Sequence, residues 1–382
     1  MKILFWLSIS IISYTYFVYP VLIYILSLFY KKPISGKYLY PTVSIIISAY
    51  NEEGCIESKI KSLLELDYPD QRLEILIGSD GSDDATAGIV SRYAGEKIKF
   101  FPFKKRQGKP SVLNRLAPQA SSEILVFTDA RQRLDKTAIK ELVKNFSDKR
   151  IGSVSSELFY ESRGQEDKTG IGLGLYWKYE KFIRKSESRM GSMLGATGAL
   201  YAIRKELYPV LPAALILDDV YIPMRIVEQG YRAIFEPKAL VFDRVFKDPK
   251  AEFSRKARTL AGNYQLSVYF RELFNPLKGK ISWQFFSHKF LRLVVPFLLV
   301  VLFASNALII SGGLHYKMFF ASQAMFYILA LLGGVFKYKN RVLDIPYMFC
   351  IMNLAAVFGF YKYLMRKQSV LWQKAQMGNE GA

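Results

Sequence analysis

From Ile3 to Tyr30 the chain has no charged residue. That run exceeds the roughly 20 residues a helix needs to cross a bilayer, so it predicts a helical span. Three more apolar stretches, Leu293–Ile310, Met318–Phe336 and Ile345–Tyr361, lie near the C-terminus. Between them, from about Lys37 to Arg271, apolar and polar positions mix as in a globular domain. The pattern predicts a membrane protein with a soluble insert.

Inside the insert the periodicity changes from segment to segment. Val43-Ser44-Ile45-Ile46-Ile47-Ser48 reads as a buried parallel strand. After the loop Ala49–Gly54, a helix is predicted with Ile56, Ile60, Leu63 and Leu64 on one face. A second strand, Leu73–Gly78, ends in the acidic turn Ser79–Asp84. A helix near Ala85–Tyr93 and a short strand at Ile98–Phe101 follow. The loop Lys104–Lys109 then leads into a helix with Pro110 in its first turn, where a missing N–H costs nothing. Another strand, Glu123–Thr128, runs into Asp129-Ala130-Arg131. Such alternation predicts an open, largely parallel sheet with helices on both faces. Ligands of these sheets bind at the carboxyl ends of strands. Asn51, Asp80 and Asp129 fall at such ends and are expected to line one cleft.

Composition sharpens this picture. The 382 residues are 51% hydrophobic and 15% aromatic, high for a soluble protein. The first apolar run is longer than a signal-peptide core and ends in Phe29-Tyr30-Lys31-Lys32 without a small-residue cleavage site, so a retained anchor is expected. Lys31-Lys32 then assigns the following domain to the cytoplasm, because positive charge beside a span stays inside. The net charge of +20 raises nucleic acid as a partner. Many of the cations, however, flank apolar segments, as in Lys278-Lys280, Lys337-Lys339-Arg341 and Lys362-Arg366-Lys367. That is the distribution expected beside membrane lipids, and no zinc-finger or RNP-type signature accompanies it. Cys55 and Cys350 form no evident pair, which agrees with a reducing compartment.

The acids at the strand ends, with Lys109, suit a diphosphate ligand and a cation. Carboxylates hold Mg²⁺ or Mn²⁺, and metal and lysine together neutralise a departing phosphate. Singly, each motif has a plainer reading. Asp-Gly-Ser-Asp is usually a turn, and Thr-Asp-Ala after a strand is usually a helix N-cap.

The ordered succession ISAYNEEG, SDGSDD, QGKPSVLN, VFTDA, GATGALYAIRK and LDDVYIPMRIVEQGYR resembles the family 2 glycosyltransferases. Within them it is most similar to the membrane-bound branch of cellulose, hyaluronan and poly-N-acetylglucosamine synthases. The resemblance is dense from Pro41 to about Pro237 and looser through the apolar segments. It implies an α/β, GT-A-type Rossmann-like catalytic domain with N-terminal and C-terminal transmembrane helices. Implied boundaries are an anchor at 1–32, the catalytic domain at 33–247, amphipathic interfacial helices at 248–290, membrane segments at 291–365 and a polar tail at 366–382.

It also implies roles. Tyr50, Asn51, Glu52 and Asp80 would hold the uridine-like part of a nucleotide-sugar donor, with Lys109 nearby. Asp129 would be the first acid of the family's Asp-X-Asp element and the metal ligand. Asp218 and Asp219 match the family's acidic pair, the second acid being the general base that deprotonates an acceptor hydroxyl. A plainer reading of the pair is a helix N-terminus, where acids favour the dipole; both can hold at once.

Two departures stand out. Arg131 replaces the usual second acid of Asp-X-Asp, so metal dependence is expected to persist but weaken; either Asp129 holds the ion with diphosphate and water, or Arg131 itself neutralises phosphate charge. Arg255-Lys256-Ala257-Arg258-Thr259 stands where processive synthases carry Gln-X-X-Arg-Trp. Arg258 keeps the arginine, a diphosphate clamp, but the sugar-stacking Trp is missing; Tyr264 and Trp283 are the candidate substitutes. The acceptor is therefore a growing polysaccharide or a lipid-linked saccharide. Two rival readings stay open: a polyprenyl-phosphate or glycolipid sugar transferase, and a non-catalytic nucleotide-sugar-binding subunit of a glycan export complex.

Overall fold

The computed structural model describes residues 1–34, 37–161, 171–244, 249–336, 340–368 and 371. The expected tail at 366–382 lies mostly outside them, as do Lys337 and Lys339. The chain divides into a sheet-based unit and a helical unit.

Among the described residues the sheet-based unit holds eight strands: β1 (Val43–Ala49), β2 (Leu73–Asp80), β3 (Ile98–Phe103), β4 (Ile124–Thr128), β5 (Arg133–Leu134), β6 (Ile151–Glu161), β7 (Leu200–Arg204) and β8 (Arg232–Arg244). Their order is β3-β2-β1-β4-β7-β6-β8-β5. The first four are parallel, with Val43, Ile45 and Ile47 of β1 opposite Leu73, Ile75 and Ile77 of β2. These strands are covered on both faces, which is why their sequence reads as unbroken apolar runs. The second half departs from the parallel order of the first, within the largely parallel sheet expected. β7 runs antiparallel to both β4 and β6, while β6 and β8 pair in parallel. Short antiparallel pairs need no crossover helix, so strand–helix alternation does not reveal them.

α1 (Lys2–Ser13) and α2 (Tyr19–Phe29) belong to the helical unit, and α3 (Ile56–Leu64), α4 (Thr86–Ser91), α5 (Lys109–Leu116) and α6 (Ala138–Val143) to the sheet unit. Ile56, Ile60 and Leu63 of α3 are buried in the core with Ile45, Ile47, Ile75 and Val126. Leu64, expected on the same face, is instead 41% exposed. Gly78 of β2 is required by close packing: an added Cβ would lie 2.6 Å from Val112 Cγ1 of α5.

The helical unit also takes α7 (Ile171–Met190), α9 (Pro249–Tyr269), α10 (Lys280–Gln284), α11 (Leu291–Leu308), α12 (Leu314–Phe336) and α13 (Arg341–Leu364), while α8 (Asp218–Glu228) is in the sheet unit. α7 falls within the interval 33–247 expected for the catalytic domain, yet its packing partners include α2 and α13. Among the described residues, four helices are long and apolar enough to cross a membrane: Lys2–Phe29, Lys280–Leu308, Leu314–Phe336 and Arg341–Leu364. The second of them therefore starts at Lys280, inside the stretch expected to be interfacial. The last is one continuous helix through Pro346, with Asn353 Nδ2 donating to the Phe349 carbonyl at 2.8 Å.

Two of these helices contain π-helical turns, Tyr14–Val18 and Phe285–Phe290. Both meet a buried polar network centred on α7. Tyr14 Oη lies 2.8 Å from Ser287 Oγ and accepts from Trp283 Nε1 at 2.8 Å. Tyr19 Oη donates to Glu187 Oε1 at 2.6 Å. His288 faces Glu187 with Nδ1 at 2.8 Å and Glu180 with Nε2 at 3.3 Å, and Arg292 pairs with Glu180. Two carboxylates thus meet an arginine and a histidine in an apolar setting, where unpaired charges would be costly.

Candidate active site

Asn51, Asp80 and Asp129 stand at the carboxyl ends of β1, β2 and β4, the ends at which ligands of such sheets bind. Asn51 follows β1 with φ +54°, a left-handed conformation that Asn tolerates better than most residues. Its Nδ2 donates to Asp83 Oδ1 at 2.5 Å, and its Oδ1 accepts from the Asp83 N–H at 3.1 Å. The Glu52 N–H donates to Thr86 Oγ1 at 2.7 Å. The acidic turn after β2 therefore braces the loop after β1.

Asp80 is almost fully buried, and its carboxylate accepts the N–H groups of Gln107 at 2.8 Å and Gly108 at 2.7 Å. It thereby fastens the basic loop before α5. Gly81, with φ +67°, lets that loop approach, since a Cβ there would lie 2.7 Å from the Arg106 nitrogen. Arg106 lays its guanidinium 3.6 Å from the centre of the Tyr50 ring, a cation–π contact.

Lys109 opens α5 and joins two of the expected acids. Its Nζ lies 2.9 Å from Asp129 Oδ1 and 3.3 Å from Asp218 Oδ2. Burial presses the Lys109 ammonium down, but Asp129 and Asp218 outweigh it and hold it above the usual lysine range. Tyr201 Oη donates to Asp218 Oδ2 at 3.3 Å. Burial, then the charge of Asp218, pushes the Tyr201 hydroxyl well up, so it stays a neutral donor.

Asp218 and Asp219 form the first turn of α8, so the plainer helix-terminus reading also holds. Asp218 is buried and Asp219 half-buried. Room for the Asp219 carboxylate comes from Gly198, where an added Cβ would lie 2.9 Å from Asp219 Oδ2. The second glycine of the GATG stretch is thus a spatial requirement of the second acid.

Arg131 is turned to protein rather than to an open phosphate position. Its Nη2 donates to Asp243 Oδ2 at 2.7 Å, and Gln132 Nε2 reaches the same oxygen at 3.2 Å. Among the described residues no three His, Cys, Asp or Glu side chains group as a ready metal cage. A Mg²⁺-type ion nevertheless fits the donor set, because such ions commonly use one or two carboxylates, water and substrate phosphates. Asp129, expected from the sequence as the metal ligand, has its side chain 42% exposed.

Sequence reasoning missed Lys59. It is buried in α3, and its Nζ donates to Thr128 Oγ1 at 2.9 Å and to the Gln132 carbonyl at 2.8 Å. Burial lowers its pKa to about 7. The available signal was position: Lys59 lies three residues after Ile56 and four before Leu63, within the apolar stripe.

The remaining expected residues lie in the helical unit. Arg258 is half-buried on α9, and Arg255 there pairs with Glu252 at 2.7 Å. Neither candidate substitute for the missing Trp is a bare ring. Tyr264 donates to the Leu293 carbonyl and packs on Phe360 and Tyr363, and Trp283 packs on Tyr19.

Residues 44–210 match the family model described as glycosyl transferase family 2. The chain carries a family 2 glycosyltransferase domain. It is similar to the probable glycosyltransferase YdaM of Bacillus subtilis (strain 168), at 26% identity over 261 residues, covering 63% of this chain and 59% of that relative. It is also similar to the poly-beta-1,6-N-acetyl-D-glucosamine synthase of Staphylococcus epidermidis, at 23% identity over 369 residues, 88% of either chain. Among solved structures, the mannosyltransferase PcManGT from Pyrobaculum calidifontis, in complex with GDP-Man and Mn²⁺, superposes with a TM-score of 0.73 at 24% identity. The overlap covers 95% of this chain and 99% of that one. The likeness extends the GT-A-type fold of the family 2 domain to an architecture that includes the apolar helices.

Proposed function

We propose that the protein is a membrane-embedded, inverting glycosyltransferase that moves a sugar from a nucleotide-sugar donor to a polysaccharide or lipid-linked acceptor. The observation that carries this reading is Lys109 held between Asp129 and Asp218, with Asp219 beside them in room left by Gly198. Asp219 is the general base: it takes the proton of an acceptor hydroxyl as the oxygen attacks the anomeric carbon. The diphosphate departs on the opposite side, so the centre inverts. Lys109 offsets the charge that develops on the leaving group. Asp129 would hold a divalent ion, whose chemistry when bound is the same charge neutralisation. Tyr50, Asn51 and Glu52 are the donor's nucleoside side of the cleft, and Asp80 acts there through the loop it fastens.

Surface or exopolysaccharide synthesis is supported by the synthase relative, with a UDP-sugar as first choice of donor. The mannosyltransferase neighbour adds a GDP-sugar to the donors that need trial. Lys31 and Lys32 after the first span support a cytoplasmic catalytic domain. A single transfer to a lipid-linked acceptor is favoured over long polymerisation by one observation: Thr259 replaces the stacking Trp while Tyr264 and Trp283 are packed among other rings.

The test is transfer of radiolabel from a panel of UDP- and GDP-sugars in the presence of native membranes. Label in an organic-extractable product supports the lipid-linked reading, and label in high-mass polymer supports the synthase. No label in either fraction from any donor would leave the non-catalytic reading.

A further inference from the structure

We infer that Lys59 is a positioning residue for Asp129, acting from beneath the cleft on the two ends of the loop that carries it. The inference rests on the reading of Asp129 as part of the donor site. Thr128 and Gln132 flank the tripeptide Asp129-Ala130-Arg131, and the Lys59 ammonium bonds to both of them. The Thr128 hydroxyl is thereby directed: it accepts from Lys59 and donates to the Ala199 carbonyl of the stretch leading into β7, at 2.8 Å. On the far side, Asp243 of β8 gathers Arg131 and Gln132. Five residues, Thr128 to Gln132, are thus held at both ends by the Lys59 amine and at one end by the Asp243 carboxylate. Asp129 is left as the member whose carboxylate points to Lys109.

A lysine in this place is a poor choice for stability alone. An apolar side chain of equal length would fill the same space without the cost of burying an amine. The ammonium supplies what methionine cannot, two directed hydrogen bonds across a loop that must present one carboxylate in one direction. Groups that serve function at a cost in stability are expected at active sites.

Lys59→Met in the full-length protein in detergent separates positioning from packing. The expected result is a melting temperature equal to or above that of the parent, a tenfold or greater fall in kcat/KM for nucleotide release, and a higher divalent-cation concentration for half-maximal rate. Hydrogen exchange gives a readout that does not need activity: amides of residues 128–132 should exchange at least tenfold faster, with those of β2 unchanged. Thr128→Val, which keeps the lysine and its bond to the Gln132 carbonyl but removes the Thr128 acceptor, should also speed the local exchange, and covers the case in which Lys59→Met does not fold. A variant with reduced melting temperature, unchanged cation requirement and unchanged exchange at 128–132 would overturn the inference and leave Lys59 as packing. Should the parent release no nucleotide with any donor, the proposed function fails, while the exchange measurement still decides the role of Lys59.

Discussion

Arg131 donates to Asp243 Oδ2 at 2.7 Å, an ion pair whose acid is nearly fully buried and lies 112 positions away in sequence. The pair explains how the chain accommodates an arginine two residues after Asp129, where relatives in the resemblance carry an acid. Arg131→Asp would bring a new carboxylate toward Asp243 and remove the buried acid's cation. Loss of about 3 kcal/mol or more of stability is expected, the usual cost of breaking a buried pair with like-charge repulsion added, even though Gln132 remains to donate to Asp243. Chemical denaturation checks this. An unchanged midpoint would mean that the pair contributes nothing.

With Asp129 as the one carboxylate of the element, activity should respond to chelation but not collapse to background. Rates with excess chelator, then with Mg²⁺ or Mn²⁺ restored, give the answer. Full activity in chelator would show that the ion is dispensable.

Gly198→Ala tests the spatial coupling to the base. A Cβ placed 2.9 Å from Asp219 Oδ2 must displace that carboxylate. kcat should fall by tenfold or more, about 1.4 kcal/mol in the barrier, with the melting temperature within a few degrees of the parent. Unaltered kcat would remove Asp219 in its observed position from the mechanism.

The sheet unit should lose stability in acid through Glu74. Burial alone would raise this carboxyl, but Lys99, Ser44 and Ser121 outweigh it and lower it to about 2. Because the unfolded chain takes up the proton first, stability is full above pH 4.5 and is lost as pH falls toward 2. On the order of 2–3 kcal/mol is at stake. Glu74→Gln should flatten that part of the stability–pH curve, and an identical curve in the variant would exclude Glu74 as its source.

In the helical unit, Glu180→Ala would strip Arg292 and His288 of a shared partner. Loss of a member of such a buried network costs about 3 kcal/mol or more, so a marked fall in melting temperature in detergent is expected. Glu180→Gln, which keeps some hydrogen bonding, should fall less. Equal effects of the two substitutions would argue against a charge-based role.

The parallel half of the fold was legible because β1, β2 and β4 must be apolar on both faces, and such runs stand out against polar loops. The strand-end positions of Asn51, Asp80 and Asp129 followed from the same alternation. The antiparallel half was not legible, since β6, β7 and β8 are ordered by pairing rather than by a crossover pattern. Nor was the membership of α7, whose alternating glycines and charges give no hint that Glu180 and Glu187 are buried against other helices. In the site, Asp80 was found by position, but its hold on the Gln107 and Gly108 amides depends on how a loop returns. Asp243 and Gly198 were hidden for a similar reason: their contacts join residues distant in sequence or depend on the absence of a side chain. Lys59 alone left a trace, a cation in an apolar stripe.

The most direct test of the central claim is nucleoside diphosphate release by the purified full-length protein in detergent with membrane lipids, comparing the parent with Asp219→Asn across UDP- and GDP-sugars. Release with one donor, falling by a hundredfold or more in the variant while donor binding persists, is the predicted result. Equal release by parent and variant would contradict Asp219 as the base, and no release with any donor would contradict the glycosyltransferase reading itself.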